Sequence, residues 1–159
     1  MPNNPTEIIS KFYTAFQQKD FQTMNALYSQ DAVFSDPVFK MLDSTETKYM
    51  WEMLCKRAKE FSLTFNNIEA VDDEYVHAQW QATYIFTKTG RKVTNNIKAY
   101  MRIKDGLIVE HTDSFSLSAW ARQALGAPGF LLGWTDWMQN KIHKEAKSNL
   151  AKFMKSSSI

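Results

Sequence analysis

The sequence predicts an α+β domain: three helices, a long curved antiparallel sheet that makes a half-barrel, and a C-terminal helical extension. Three observations predict it. Apolar residues recur every three or four positions up to about Glu60, the period changes to two from Ser62, and a spacing of four returns in the tail. A chain of 159 residues suits one folding unit and buries roughly 70% of its unfolded surface, enough for a core without metal or disulfide staples. We divide it into an α+β barrel over residues 1–118 and a helical extension over residues 119–159, packed on the same domain.

Pro5 and Thr6 precede Ile8, Ile9, Phe12, Tyr13 and Phe16, a one-faced helical pattern. Asp20 is the expected N-cap of a short second helix with Phe21, Met24 and Leu27-Tyr28 inward. A strand from Ala32 to Asp36 should stop at Pro37, which cannot donate to a ladder. Asp43-Ser44-Thr45-Glu46 reads as a capping box opening a helix to about Glu60, with Tyr49, Met50, Met53, Leu54 and Cys55 inward. Leu63, Phe65 and Ile68 begin the strand pattern, and Val76, Ala78, Trp80, Ala82, Tyr84 and Phe86 form one alternating face. Lys88-Thr89-Gly90-Arg91 is a hairpin turn. The return strand, about Lys92 to Ile103, turns Val93, Asn95, Ile97, Ala99, Met101 and Ile103 one way. After a turn at Lys104-Asp105-Gly106, the strand Leu107 to Leu117 should align Leu107, Val109, His111, Asp113 and Phe115. Sheet curvature needs bulges, for which Asn95-Asn96 and Asp72-Asp73 are the candidates. In the tail, Ala119 to Leu125 is helical, Gly126-Ala127-Pro128-Gly129 is a break, and Trp134, Met138, Ile142, Ala146 and Leu150 form a stripe continued by Phe153 and Met154.

Composition narrows the function classes. A net charge of +2 is too small to suggest nucleic acid. Five lysines between 141 and 155 against one glutamate give that stretch +4, so the remainder is about −2. No apolar run has the length of a membrane span, the N-terminus lacks the pattern of a secretory signal, and the single cysteine, Cys55, excludes an intramolecular disulfide. We expect a soluble cytoplasmic protein. Eleven Phe, six Tyr and five Trp suit a core or the lining of an apolar cavity.

"ALYSQDAVFSDPVF" and "MRIKDGLIVEHTDSF" resemble the nuclear-transport-factor-2-like superfamily, which includes the steroid Δ-isomerases and the SnoaL-like polyketide cyclases. The resemblance runs from residue 6 to about 117, and "WARQALGAPGFLLGW" is similar to a bacterial subgroup labelled only isomerase-related. It implies a conical curved antiparallel sheet (a cystatin-like half-barrel) enclosing an apolar pocket, often paired into a dimer across the outer sheet face. It also implies Asp36 as a general base. The isomerases' oxyanion hole takes a tyrosine and a protonated aspartic acid, but those positions here are Phe12 and Ala99. Loss of one such donor costs about 2–4 kcal/mol of transition-state stabilisation. The resemblance therefore argues for the pocket and against steroid isomerisation, unless Tyr13 or another donor substitutes.

The polar candidates each have two readings. Asp36 before Pro37 is either an Asx turn or a pocket carboxylate, whose pKa burial would raise. His111 and Asp113, two apart on an apolar strand face, either satisfy each other or Asn95 in the core, or join Asp36 as an acid/base cluster, as SnoaL-like cyclases resemble. Asn95 is either a ligand donor or part of a bulge. Phe12, Tyr13, Trp80, Tyr84, Asn95, Ile97, Ala99 and Phe115 are the expected ligand-binding lining. A metal on Asp36, His111 and Asp113 is not favoured by their spacing, and no cofactor is expected. Cys55 reads as core, and His77 and His143 as surface. The 134–154 helix either packs on its own domain, as a lid or dimer element, or contacts an anionic membrane surface; we prefer packing. The expected activity is proton transfer on an apolar, oxygen-bearing small molecule by Asp36, His111 and Asp113, in an isomerisation, aldol cyclisation or hydration. The alternative is a binding or protein-interaction module of the same fold. Pairing through the sheet face is the expected homodimer.

Overall fold

The computed structural model describes residues 4–157. Helix α1 (Pro5–Gln17) starts where the Asn4 side chain accepts the Thr6 N–H, with proline in the first turn, where a missing N–H costs nothing. Asp20 caps α2 (Phe21–Ala26) through the Thr23 N–H. Strand β1 (Tyr28–Asp36) begins four residues earlier than its alternation suggested, because a register shift between Tyr28 and Val33 breaks the pattern. It ends at Asp36, as Pro37 requires. A strand missed in the sequence, β2 (Lys40–Leu42), folds back on it, pairing Phe34 with Leu42 and Asp36 with Lys40. Three residues are too few to show a period.

Helix α3 (Ser44–Arg57) has both hydrogen bonds of the capping box at Asp43 and Glu46. It ends at Arg57 rather than near Glu60, since Ala58 is already extended and strand pairing begins at Lys59. Its inward face includes Trp51, which the sequence reading passed over, whereas Leu54, read as inward, is 38% exposed.

Strands β3 (Lys59–Ala70), β4 (Tyr75–Phe86), β5 (Arg91–Lys104) and β6 (Leu107–Ser114) complete a six-stranded sheet in the order β2-β1-β6-β5-β4-β3. It is antiparallel except where β1 runs parallel to β6. Gly90 and the Asp105-Gly106 pair take the positive φ that their hairpin turns demand. The bulges are not where we expected them. The β4–β5 ladder runs unbroken through Asn95, and Asp72 sits in the β3–β4 turn, its carboxylate accepting the Glu74 and Tyr75 N–H groups. The shifts lie instead at Lys59/Ser62 and Asn66/Glu69 in β3, at Arg102/Ile103 opposite β6, and in β1. The Arg102/Ile103 shift matters for the site. Ile103 pairs with Ile108 but Arg102 pairs with Glu110, so Ile108 turns inward while Val109 is only half-buried. The inward face of β6 is therefore Ile108, His111 and Asp113, not an uninterrupted odd-numbered row.

Helix α4 (Leu117–Leu125), capped by Ser116, stops at Gly126, whose φ is 72°. The predicted break is confined to that residue, for α5 (Ala127–Leu132) begins at the next one and α6 (Asp136–Ser157) follows. Met138, Ile142, Leu150 and Phe153 point inward as their spacing predicted. Trp134 does not: it precedes α6 and is 72% exposed, its indole N–H donating to the Leu131 carbonyl at 3.1 Å.

Buried apolar side chains form two clusters. The larger joins α1, α3 and the inner sheet face to Leu150 and Phe153, and the smaller gathers Val93, Trp120, Met138 and Ile142. Helix α6 thus belongs to both, and the space between them is where polar groups collect. No described helix is long and apolar enough to cross a membrane.

Candidate functional site

Between the inner sheet face and helices α3, α4 and α6 lies a cavity of about 580 Å³, with walls of mostly aromatic and aliphatic side chains. That is the size and chemistry of a small-molecule site. The alternation of β4 and β5 turns Trp80, Tyr84, Asn95 and Ile97 to it; Phe115 after β6 closes one side, and Met138 and Ile142 of α6 the other. Tyr84 is held by its hydroxyl, which accepts the Trp120 indole N–H at 2.8 Å.

Asp36 satisfies both sequence readings at once. Its Oδ1 accepts the backbone N–H of Val38 (2.9 Å) and of Phe39 (2.6 Å), an Asx turn that reverses the chain into β2. The same carboxyl group is on the cavity wall. Removal from water raises its pKa from 3.8 to about 7, against the lowering effect of those backbone bonds, and the Asp113 charge adds to the rise.

Asp113 belongs to a buried chain of hydrogen bonds. The Trp51 indole N–H donates to the Tyr28 hydroxyl oxygen (2.9 Å), which is 2.7 Å from His111 Nδ1. His111 Nε2 is 2.9 Å from Asp113 Oδ1, which also accepts the Trp80 indole N–H at 3.4 Å. The direction of the chain follows from tryptophan, which can only donate. Were His111 Nδ1 a donor to Tyr28, the tyrosine proton would have no acceptor. Tyr28 O–H therefore donates to Nδ1, and His111 Nε2–H donates to Asp113. Both imidazole nitrogens are engaged, so neither is free for a metal. Asp113 Oδ2, Asp36 Oδ2 and the Asn95 amide have no hydrogen-bond partner among the described residues, and all three side chains line the cavity.

His111 itself is 1% exposed and stands behind Asp113, away from the cavity. Phe12, Tyr13 and Ala99, expected as lining, are also behind the wall. Helix α1 packs against β3 and β4, and its inward rings fill the core behind that wall. The Phe12 ring packs edge-on against Tyr28, Trp51 and His111 at 5.8, 5.8 and 5.7 Å, and Tyr13 stacks on Phe65 at 5.6 Å. Tyr13 Oη is buried without a hydrogen-bond partner, and burial pushes its pKa well above the ordinary tyrosine value. Tyr28 and Trp51 are the functional-site residues that sequence reading missed. Trp51 had a signal, for it lies four residues from Cys55 on the same helical face. Tyr28 had none beyond being apolar enough to turn inward.

Cys55 is buried on the cavity wall, and desolvation lifts its thiol to about 11. His77 is at the surface near Glu69 (3.8 Å). His143, read as surface, is half-buried, and its Nδ1 lies 2.8 Å from the Val38 carbonyl, tethering α6 to the Asp36 turn.

Residues 9–111 match the SnoaL-like domain family. An LEH-like epoxide hydrolase of M. tuberculosis superposes with a TM-score of 0.65 at 20% identity, over 80% of this chain and 92% of that one. IdmH of Streptomyces antibioticus, described as a candidate polyketide cyclase, gives 0.65 at 22% identity, over 79% and 100%. TerC co-crystallised with polyporic acid gives 0.64 at 14% identity, over 76% and 98%. No curated protein matches the chain. At these identities the structural likeness is one of fold.

Proposed function

The chain belongs to the SnoaL-like domain family, and from that premise we propose that it binds an apolar, oxygen-bearing small molecule in the cavity and moves protons on it with Asp36 and Asp113. One observation carries the proposal: two carboxyl groups with different partners open into the same apolar space, and one of them titrates near neutrality. Asp113 is the base. Its Oδ1 is held by His111 and Trp80, which leaves Oδ2 to take a proton from a carbon beside a carbonyl, or from a water molecule. Asp36, protonated in about half of the molecules near pH 7, returns a proton to the oxygen or carbon that becomes negative. Asn95 orients the substrate oxygen through its amide N–H. His111 is a positioning residue, acting through Asp113 and not by touching the ligand. Isomerisation, aldol cyclisation and hydration all require this pair of transfers, and neighbours of the same fold are described as a candidate cyclase and an epoxide hydrolase.

The test is deuterium exchange. In D2O, wild-type protein should speed the loss of α-proton NMR signal from an apolar ketone such as 2-tetralone, and Asp36→Asn or Asp113→Asn should abolish the acceleration. Equal exchange by wild type and the double variant, across a panel of such ketones, refutes proton transfer. A second reading, a binding domain without chemistry, draws support from Phe12 and Ala99, which bring no donor to the isomerases' oxyanion positions. Our reading also keeps two copies paired through the outer sheet face, in the cytoplasm. Light scattering of wild type against Tyr100→Glu, an exposed residue on that face, tests the pairing.

A further inference from the structure

We propose that the ligand is an amphipathic organic anion: an apolar body in the cavity, an oxygen-bearing end at Asp36 and Asp113, and a carboxylate, sulfonate or phosphate at the mouth, held by Lys19 and Arg57. The inference rests on the reading that the cavity binds a small molecule, and it adds the charge and orientation of that molecule. The cavity is electrically polarised. Its inner end has the two carboxyl groups, where an anion would be repelled, while its exposed rim bears Lys19, Arg57, Lys88 and Lys141 against a single Glu145. Lys88 is spent on Glu145, and Lys141, over the Trp137 ring at 5.4 Å, stands on α6 one helical turn before that same carboxylate.

Lys19 and Arg57 are different. They stand at the turn after α1 and the last residue of α3, two elements that flank one edge of the mouth. Neither side chain donates a hydrogen bond or forms an ion pair with any described residue. The nearby carboxylates are committed elsewhere: Asp20 accepts from Thr23, and Glu52 pairs with Lys56 at 2.9 Å. The Arg57 guanidinium lies over the Phe153 ring at 5.4 Å. A cation–π contact uses none of the guanidinium N–H donors, so they stay open for a two-point bond to an oxyanion. Two unspent cations on the wall of an apolar cavity, opposite an acidic floor, select a ligand that is negative at one end only.

Two dyes of the same ring system isolate the charge: 1-anilinonaphthalene-8-sulfonate and the uncharged N-phenyl-1-naphthylamine. Wild-type protein should bind the sulfonate about fivefold more tightly at low salt, the size expected for two exposed ion pairs, and added salt should erase the advantage. Lys19→Gln/Arg57→Gln, which alters only exposed side chains, should weaken the sulfonate to the level of the neutral dye and leave the neutral dye unchanged. Binding of the neutral dye with no preference for the sulfonate, or a preference that survives the double variant, overturns the anion assignment but not the cavity. If neither dye binds, the small-molecule reading falls as well.

Discussion

Replacing Asp36 by asparagine should stabilise the protein, little at acid pH and most at neutral to alkaline pH. Asparagine keeps the Oδ1 that accepts the Val38 and Phe39 N–H groups, so the turn survives. What it removes is a charge in an apolar cavity. The folded pKa is about 7 against 3.8 for a free side chain, so the folded state binds the proton more tightly. The sign follows: stability is greatest where Asp36 is protonated in both states, and it falls as pH rises from about 4 to about 7. At about 1.4 kcal/mol per pH unit the full difference is about 4 kcal/mol. Asp36 is only partly buried and opens to the cavity, so screening reduces this to about 2 kcal/mol. The variant should therefore gain about 0.5 kcal/mol over wild type near pH 4.5 and about 2 kcal/mol near pH 8. For a chain of this length that is about 4–8 °C in Tm at the higher pH. Thermal melts of both proteins at several pH values are sufficient, since the difference cancels every titrating group that does not interact with Asp36. A gap of constant size from pH 4.5 to pH 8, or a variant less stable than wild type at pH 8, would refute a desolvated carboxyl group at residue 36.

The remaining predictions concern what holds the site. Tyr28→Phe strands the Trp51 N–H and His111 Nδ1 in the core, and the urea midpoint should fall by the equivalent of about 2–4 kcal/mol with an unchanged slope; a loss below about 0.5 kcal/mol would mean that the chain is not a buried network. Gly129→Ala places a methyl group 1.9 Å from the Ala121 carbonyl oxygen, which no rotamer relieves, so it should cost more than Gly90→Ala, where nothing lies within 4 Å and only the φ of +73° adds about 1 kcal/mol. The reverse order in denaturant melts would contradict the packing of α5 on α4. Leu150→Ala should cost about 2–5 kcal/mol and loosen α6, seen as faster amide exchange in residues 138–153 than elsewhere; uniform exchange would argue that α6 does not depend on that anchor. Cys55, buried and with its thiol near 11, should react with iodoacetamide at pH 8 at least about a hundredfold more slowly than glutathione, and comparable rates would show an open thiol.

The sequence could be read wherever the deciding interaction is local. The Asp20 cap, the Asp43–Glu46 box, the two hairpin turns and the alternation of β4 and β5 each span a few residues, and each formed as its residue types demanded. That alternation also placed Trp80, Tyr84, Asn95 and Ile97 on the cavity wall. Where a distant partner decides, pattern was insufficient. α3 stops early because Lys59 pairs with Ile85, and Trp134 stands in water although its spacing continues an apolar stripe.

By itself, then, the sequence determined the types of the long elements and which of their faces carry acid, amide and aromatic groups, because side-chain direction within a helix or strand depends on a period only a few residues long. The tertiary structure decided that Asp36 and Asp113 open into one space, and that His111, Phe12 and Tyr13 stand behind its wall. Those outcomes depend on a bulge at Val109 and on a contact between Tyr28 and His111, 83 residues apart. Such convergence is set by how whole elements pack, and packing is a property that no single stretch of chain contains.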